Sequence, residues 1–205
     1  MDDWHVKQIN AIKRVINPTW DYADVGACQG EILQYLFQTM QHGYAFEPDT
    51  ENYDFLYSKF LRNRTTIFSK LDLIKSAVCN VDGHVKFFKA TSHVGNILGH
   101  DMSYRPYSDS IEVTSLKLDT YFEDKKVDFI KVDIEGAEWS MFEGAQILLK
   151  ERDIVWQVEF HLDEDWHRRE ILFDNGYHIY DLDLNKLSKD ASRPYQAILS
   201  KHEYK

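Results

Sequence analysis

The chain is constrained most by a regular alternation of short apolar strands and helices. Helical patterns over 31–41 and 50–62 separate the first three strands, and the alternation resumes after residue 126. Strands joined through helices pair in parallel by right-handed crossovers, so the pattern predicts an α/β three-layer sandwich with helices on both faces of one mostly parallel sheet. The last two strands are joined by a link too short for a crossover helix, which predicts an antiparallel C-terminal pair. The seven predicted strands cover residues 22–25, 43–46, 71–78, 127–132, 154–160, 177–182 and 195–199.

Two further segments accompany this sheet. Apolar residues at helical spacing predict an N-terminal lead-in helix within residues 1–18. Residues 79–122 interrupt the alternation, and Asp82-Gly83 is a turn signal that predicts a small β-hairpin insertion there, formed with the strand that precedes it. The alternating segment 111–118 is expected to pair with this hairpin. The aperiodic stretch 89–110 within the insertion is a candidate substrate lid, because long loops in compact domains are usually functional. With 205 residues and no internal linker or repeat, residues 1–205 are expected to form a single domain.

Composition excludes several classes of protein. The formal net charge is −10 and no basic run is longer than a pair, so neither a nucleic-acid groove nor an anionic membrane surface is an expected partner. No signal peptide and no apolar run of about 20 residues is visible. Cys28 and Cys79 form no disulfide framework, which fits a reducing compartment. A cytoplasmic protein is expected.

A tight turn follows the first predicted strand, in the segment from Asp24 to Gly30. Gly26 and Gly30 allow the backbone to turn sharply and to approach a ligand, and the following helix offers free N–H groups at its start. The segment lacks the G-x-G-x-x-G spacing of dinucleotide sites, so it suits a carboxylate or a ribose better than a pyrophosphate. Asp24 can face a cationic amine.

Glu47 ends the second predicted strand, about 20 residues after Gly26. An acid at this distance past a glycine loop typically accepts hydrogen bonds from ribose hydroxyls. One carboxylate offers two oxygens, which match two vicinal hydroxyls. The spacing therefore predicts a ribose-binding acid, with a surface acid before a proline turn as the alternative.

A second group of polar residues follows two later strands. Asp133 lies directly after the strand at 127–132 with Glu135 two residues on, and the next strand ends in Glu159 and His161. Ligands of open parallel sheets bind outside the carboxyl ends of the strands. These side chains are therefore predicted to share one edge of the sheet with the glycine turn.

Together these motifs resemble the FkbM family of methyltransferases, which belongs to the class I, Rossmann-like, S-adenosylmethionine-dependent enzymes. The resemblance covers roughly residues 21–161 in the right order. It departs from the family pattern at Cys28, where the family usually carries Asn. The matching segments are 24–30, 46–49, 77–83, 129–138 and 142–145.

The resemblance implies S-adenosylmethionine as cofactor and methyl donor, and O-methylation of a hydroxyl on a sugar, a glycan or a small natural product. At the sheet edge Asp133, His161 and Glu135 are the candidate catalytic residues, with Asp133 or His161 favoured as general base. The candidate cofactor-binding residues are Asp24, Gly26, Ala27, Cys28, Gly30, Glu47, Pro48, Ala77 and Asp133.

A metal centre is not predicted. Asp133, Glu135 and Glu159 leave a hard-cation site open as an alternative, but the sequence contains no tight acidic ligand motif. The candidate acceptor-binding residues are His93, Tyr104, Arg105 and Glu159.

Two other functions stay open at this point. A nicotinamide-dependent oxidoreductase is weakened by the missing G-x-G-x-x-G pattern. A non-catalytic binding module could keep the cofactor fold without activity, because fold alone does not establish function. The presence of Asp24, Glu47 and Asp133 favours the methyltransferase hypothesis.

Overall fold

A computed structural model describes residues 3–36, 39–62, 70–90, 95–96 and 107–204, and every structural statement concerns these residues. The strands are β1 Asp21–Val25, β2 His42–Phe46, β3 Leu71–Ile74, β4 Ala77–Val78, β5 Gly83–Ala90, β6 Gly95–Asn96, β7 Tyr107–Leu116, β8 Phe129–Val132, β9 Val155–Glu159, β10 His178–Tyr180 and β11 Gln196–Ser200. The helices are α1 Asp3–Val15, α2 Leu33–Leu36, α3 Thr50–Leu56, α4 Leu118–Tyr121, α5 Glu138–Glu143, α6 Gln146–Glu151 and α7 Glu170–Asp174. A π-helical turn covers Tyr57–Leu61 and a 3-10 turn covers Trp166–Arg169.

Seven strands form the main sheet in the order β10-β11-β9-β8-β1-β2-β3. β1 lies in its middle and pairs in parallel with both β2 and β8. β11 runs antiparallel to both of its neighbours, β9 and β10. The predicted seven-stranded, mostly parallel sheet with an antiparallel C-terminal pair is therefore confirmed.

Both faces of this sheet are covered by helices, as the alternation predicts. Ala23 and Val25 of β1 belong to a core cluster that includes residues of α4, α5, α6 and α7. Tyr22 belongs to a second cluster, with residues of α1, α2 and α3. Successive residues of a strand point to opposite faces, so one buried strand serves both clusters. The helix α1 lies within the predicted lead-in segment 1–18, and its Gln8 donates to the buried side chain of Gln157 at 2.8 Å.

The insertion forms a second sheet, in the order β4-β7-β5-β6. The predicted third strand at 71–78 is divided: β3 belongs to the main sheet, whereas β4 pairs in parallel with β7. β5 pairs with β7 in antiparallel orientation, which confirms the insertion as a β structure. The strand before Asp82-Gly83 is not the partner of β5, however, because β7 lies between β4 and β5. The turn signal correctly predicted that the chain reverses at Asp82-Gly83, but the strand predicted to pair with β5 was wrong.

One predicted helix is only partly formed among the described residues. Within 31–36 and 39–41 only α2 is helical. The helix after Glu138 is divided into α5 and α6, because the carboxylate of Asp119 accepts the N–H groups of Ile147 and Leu148, each at 2.9 Å, and starts a second helix there. None of the described helices combines the length and apolar character needed to cross a bilayer.

The end of β1 approaches the end of β8 so closely that no side chain fits between them. Gly26 has a φ of +79°, in the left-handed region, and a Cβ built on it would lie 1.9 Å from the carbonyl oxygen of Asp133. Backbone that close cannot yield to an added atom without moving a central strand. Glycine is therefore required at position 26 both for its conformation and for its size.

We expect Gly26→Ala to lower the free energy of unfolding by about 3 kcal/mol or more, because steric overlap adds to the cost of a left-handed alanine. Gly176→Ala is the matched control: its φ is +82° and no atom lies within 4 Å of an added Cβ. Its loss should be only about 1 kcal/mol. Urea denaturation of both variants gives the two values, and equal losses would contradict the packing argument.

Candidate functional site

The site lies at the carboxyl ends of β1, β2, β8 and β9. The chain runs from β1 outward to β3 and later returns to the other side of β1 as β8, so the strand order reverses between β1 and β8. Ligands of open parallel sheets bind at such a reversal. Gly26, Glu47 and Asp133 directly follow β1, β2 and β8, and Glu159 is the last residue of β9, so these residues lie at the predicted ends of the strands.

A buried lysine lies in the middle of the site. The Nζ of Lys131 lies 3.2 Å from Oδ1 of Asp24 and 3.6 Å from Oδ2 of Asp133, and it donates to the carbonyl of Gly26 at 3.2 Å. Burial alone lowers the pKa of Lys131, but the charges of Asp24 and Asp133 outweigh it and raise the pKa, so the ammonium group keeps its charge. In this structure Asp24 faces the ammonium group of Lys131, and its contact with a ligand amine stays a prediction.

The glycine turn is shaped by the protein around it. Gly26, Cys28 and Gly30 all have positive φ, at 79°, 49° and 71°. A Cβ at Gly30 would lie 2.6 Å from the ring of Phe60. Protein therefore fills the space at both glycines, so packing alone requires glycine there, and the approach of a ligand to their backbone stays a prediction. Asn, the usual family residue at position 28, is among the residues that adopt positive φ most readily.

Glu47 connects the turn to the start of α3. Its Oε2 accepts the N–H of Cys28 and its Oε1 accepts the N–H of Asp49, each at 2.8 Å. Glu47 is almost fully buried, and this burial raises its pKa to about 7 although the two N–H donors oppose the rise. The side chain of Asn52 also donates to this carboxylate. A carboxylate offers about four acceptor positions, so Glu47 can still accept a hydrogen bond from a ligand.

His161 gathers four carboxylates. Its Nδ1 lies 2.8 Å from Oε1 of Glu138, and its Nε2 lies 3.3 Å from Glu159, 3.5 Å from Glu135 and 3.8 Å from Asp133. We call Asp133, Glu135, Glu159 and His161 the carboxylate–histidine cluster. As predicted, the carboxyl ends of β8 and β9 bring these side chains together.

The cluster changes the expected protonation of its members. Burial lowers the pKa of His161, but the hydrogen bonds to Glu138 and Glu159 outweigh burial and raise the pKa to about 11. An imidazolium at neutral pH has no lone pair for a proton, so the predicted role of His161 as general base is disfavoured. Burial raises the pKa of Asp133 to about 6, while Lys131 opposes the rise. Asp133 keeps a third of its side chain exposed and stays the candidate base.

Glu159 is the cluster member held most firmly as a carboxylate. Burial raises its pKa, but hydrogen bonds from His161, Tyr195 and Gln196 outweigh burial and lower the pKa to about 2. The Nε2 of Gln196 donates to Oε2 of Glu159 at 2.5 Å. These bonds fix Glu159 at the end of β9.

Several predicted site residues stand apart from the cluster or outside the described residues. Ala77 belongs to a small apolar cluster with Phe87 and Val113, which gives it a packing role, and its cofactor contact stays a prediction. Ala27 is buried and Pro48 half-buried beside the turn and Glu47. Outside the described residues lie His93, Tyr104, Arg105 and most of the candidate lid.

Three contributors to this site were not predicted from the sequence. Lys131 carried a signal, because a lysine inside a buried strand is almost always paired. Glu138 lies in the first turn of α5, where acids are common because of the helix dipole, and it accepts the N–H of Gly136 at 2.9 Å. Its contact with His161 depends on the placement of α5. The contact of Gln196 could not be predicted from the sequence, because it depends on the antiparallel register of β11, which places Gln196 opposite Glu159.

Comparison with known proteins agrees with this geometry. Residues 24–179 match the family model described as the methyltransferase FkbM domain. A search of curated proteins returns no significant match. The match includes the glycine turn, Glu47 and the carboxylate–histidine cluster.

Solved structures show the same fold. The methyltransferase FkbM from Methylobacillus flagellatus KT is 18% identical with a TM-score of 0.59, over 91% of this chain and 45% of that one. A protein of Streptococcus mutans described as a putative methyltransferase, SMU.1697c, in complex with SAH, is 7% identical with a TM-score of 0.53, over 98% of both chains. M. capricolum TrmK in complex with S-adenosyl-homocysteine is 11% identical with a TM-score of 0.53, over 96% and 69%.

The strand order and these neighbours define a protein with the class I, S-adenosylmethionine-dependent methyltransferase fold. The family match spans more than half of the sequence, and the chain belongs to the FkbM methyltransferase family. It covers less than half the length of the M. flagellatus protein. The family match favours the methyltransferase hypothesis over an oxidoreductase.

The raised pKa of Glu47 predicts a pH-dependent stability difference. Because the folded pKa is about 7 and the unfolded value about 4.5, ionisation costs the fold stability as pH rises from about 4.5 to 7. Glu47→Gln has no such loss. The difference in the free energy of unfolding between this variant and the wild type should therefore rise in favour of the variant by up to about 3 kcal/mol between pH 4.5 and 7, and stay constant above pH 7. Urea denaturation at pH 5, 6, 7 and 8 measures the difference. Glu51→Gln, at an exposed acid, is the control, and a pH-independent difference for Glu47→Gln would refute the assignment.

Proposed function

We propose that this chain transfers a methyl group from S-adenosylmethionine to a hydroxyl oxygen of a sugar, a glycan or a small natural product. The observation that carries the proposal is Glu47, a buried acid at the end of β2 whose two oxygens are held by N–H groups of Cys28 and Asp49. A carboxylate fixed in this way beside a glycine turn can accept both hydroxyls of a ribose. The family match and the SAH complexes of two structural neighbours support the cofactor.

The residues at the sheet edge fit a cationic ligand. When bound, S-adenosylmethionine supplies a methyl carbon activated by a positively charged sulfonium. Within 4.0 Å of the two cations Lys131 and His161 lie more carboxylates than those cations neutralise. Glu47 would hold the ribose, and the turn at Gly26 and Cys28 would line the same end of the sheet. The carboxylates of this chain would then pair with the positive charge of the ligand, and its side chains would exclude water.

Asp133 is the group placed to activate an acceptor hydroxyl. It is the most exposed member of the ion pairs at His161, and with a pKa of about 6 it is ionised at neutral pH. A base whose pKa lies close to the working pH is the most effective one for accepting a hydroxyl proton. The acceptor class itself rests on the family resemblance, since members mostly methylate hydroxyl oxygens.

The insertion is anchored beside the proposed ribose acid. The Nζ of Lys89, on β5, lies 2.9 Å from Oδ2 of Asp49 and 3.2 Å from Oε1 of Glu51. Asp49 also caps α3 through the N–H groups of Glu51 and Asn52. This contact places the described end of β5 beside the proposed ribose acid, and the role of residues 89–110 as a substrate lid stays a prediction.

Calorimetric titration with S-adenosylhomocysteine tests the cofactor. We expect micromolar binding by the wild type and at least a tenfold loss in Glu47→Ala, because the ribose loses its acceptor. Glu51→Ala is the matched control, since this acid lies four residues on with an exposed carboxylate, and it should bind as the wild type does. Circular dichroism checks that each variant folds.

The same titration separates the alternatives. Absence of S-adenosylhomocysteine binding by the folded wild type would refute the methyltransferase proposal. Binding of NADH instead would favour an oxidoreductase. Absence of binding of both S-adenosylhomocysteine and NADH would favour a non-catalytic binding module.

Asp133→Asn should lower turnover far more than cofactor affinity. Loss of a general base typically costs a factor of about 10² to 10⁴, whereas an isosteric amide leaves the neighbouring turn in place. The measurement is the rate of S-adenosylhomocysteine formation with a panel of hydroxyl-bearing sugars, beside the calorimetric affinity. Unchanged turnover in Asp133→Asn would remove Asp133 from the catalytic role.

A further inference from the structure

We infer that Asp133, Glu159 and His161 form a binding site for a divalent transition cation of the Mn²⁺ or Zn²⁺ type. One carboxylate oxygen from each acid and one imidazole nitrogen lie within 4.8 Å of one another. Ligands on opposite sides of such a cation, at about 2.0–2.3 Å each, stand about 4.0–4.6 Å apart. The donors therefore need to move by no more than a few tenths of an ångström to share one ion.

The imidazole ring is held as a metal ligand requires. Ligation needs the neutral imidazole, so a cation that binds at Nε2 of His161 displaces to solvent the proton that this nitrogen carries in the imidazolium. Nδ1 of His161 lies 2.8 Å from Oε1 of Glu138, a buried carboxylate that also accepts the N–H of Gly136. This contact turns Nε2 toward Asp133 and Glu159, at 3.8 and 3.3 Å. Histidine ligands almost always place their other nitrogen against a carboxylate, a carbonyl or a water in this way. Glu138 is outside the set of three donors, so its position is a separate observation.

A second, independent feature lies behind Glu159. Gln196 is almost fully buried, and its Nε2 donates to Oε2 of Glu159 at 2.5 Å. This bond leaves Oε1 of Glu159 facing His161. Among the described residues the amide oxygen of Gln196 has no hydrogen-bond partner. Such an orphaned buried acceptor needs a donor, and a water molecule carried by a bound cation supplies one.

The exposure of the three donors allows a cation to enter from one side. The side chain of Asp133 is 33% exposed, whereas those of Glu159 and His161 are 10% and 5% exposed. Mixed nitrogen and oxygen donors suit Mn²⁺ and Zn²⁺ better than Mg²⁺, which prefers oxygen alone. A site for an organic cation needs only carboxylates. The imidazole nitrogen among the carboxylates therefore favours a metal ion here.

The role of the cation rests on the proposed function, whereas its binding does not. Three protein ligands leave coordination positions open, and an acceptor hydroxyl can occupy one of them. A divalent cation lowers the pKa of a bound hydroxyl as a Lewis acid. In the loaded enzyme it would then take over from Asp133 the activation of that hydroxyl.

The test is a titration of the chelator-treated full chain with Mn²⁺, followed by electron paramagnetic resonance of the free ion, with Zn²⁺ as competitor. We expect saturable binding of one ion per chain. Glu159→Gln should weaken binding at least tenfold by removing a ligand, and Glu138→Gln by about 10- to 100-fold by releasing the ring of His161. His42→Gln is the matched control, because the partly exposed His42 also lies 3.2 Å from a carboxylate, that of Asp72, but at the opposite end of β2 from the site. This variant should bind the ion as the wild type does.

Two results would overturn the inference. One is the absence of saturable binding of both Mn²⁺ and Zn²⁺ to the folded wild type. The other is binding that survives unchanged in Glu159→Gln. If circular dichroism shows that Glu159→Gln does not fold, Asp133→Asn, at a third-exposed side chain, replaces it with the same expected loss.

Titration of the same samples with S-adenosylhomocysteine separates this inference from the proposed function. Cation binding without S-adenosylhomocysteine binding would uphold the cation site and refute the methyltransferase proposal. S-adenosylhomocysteine binding without cation binding would uphold the cofactor and refute the cation site.

Discussion

The ion pair between Asp24 and Lys131 is the interaction on which the site depends. The two residues are register partners on β1 and β8, the strands between which the order of the sheet reverses. Both are almost fully buried, so removing either one would leave an unpaired charge in the core, a change that typically costs about 3–5 kcal/mol. A slip in register would have the same effect. The pair therefore ties the alignment of the central strands to the position of the glycine turn, because Lys131 also donates to the carbonyl of Gly26.

Contacts extend from this pair across the whole sheet edge. The turn that Lys131 holds places the N–H of Cys28 against Glu47, and the segment after Glu47 carries Asp49, which binds Lys89 of the insertion. On the other side Nζ of Lys131 lies 3.6 Å from Oδ2 of Asp133, and Oδ1 of Asp133 lies 3.8 Å from Nε2 of His161. The proposed ribose acid, the candidate base and the insertion are thus positioned by one connected set of polar contacts. A change at its centre would reach each of them.

The alternation of strands and helices was enough to predict the main sheet and the edge at which the site lies. It was not enough at 71–78, where one apolar run covers two strands of different sheets, because local pattern does not encode the partner of a strand. The pairing of β4 with β7 joins residues far apart in sequence, beyond the reach of a turn signal. For the same reason the surroundings of His161 could not be predicted. These surroundings depend on the positions of Glu138 on α5 and Gln196 on β11. Tertiary packing sets both positions.

The charge of the site links its stability to what it binds. Around His161 four carboxylates share one imidazolium, and Lys131 offsets only part of the rest, so the folded protein holds negative charge that its own described cations do not balance. Such an excess raises the free energy of the unliganded fold and falls when a cation binds. A cationic cofactor and a divalent ion both relieve it, but they use different atoms: a ribose-bearing ligand needs Glu47, and a metal ion needs Nε2 of His161. The two kinds of binding can therefore be separated residue by residue, although they draw on one electrostatic imbalance.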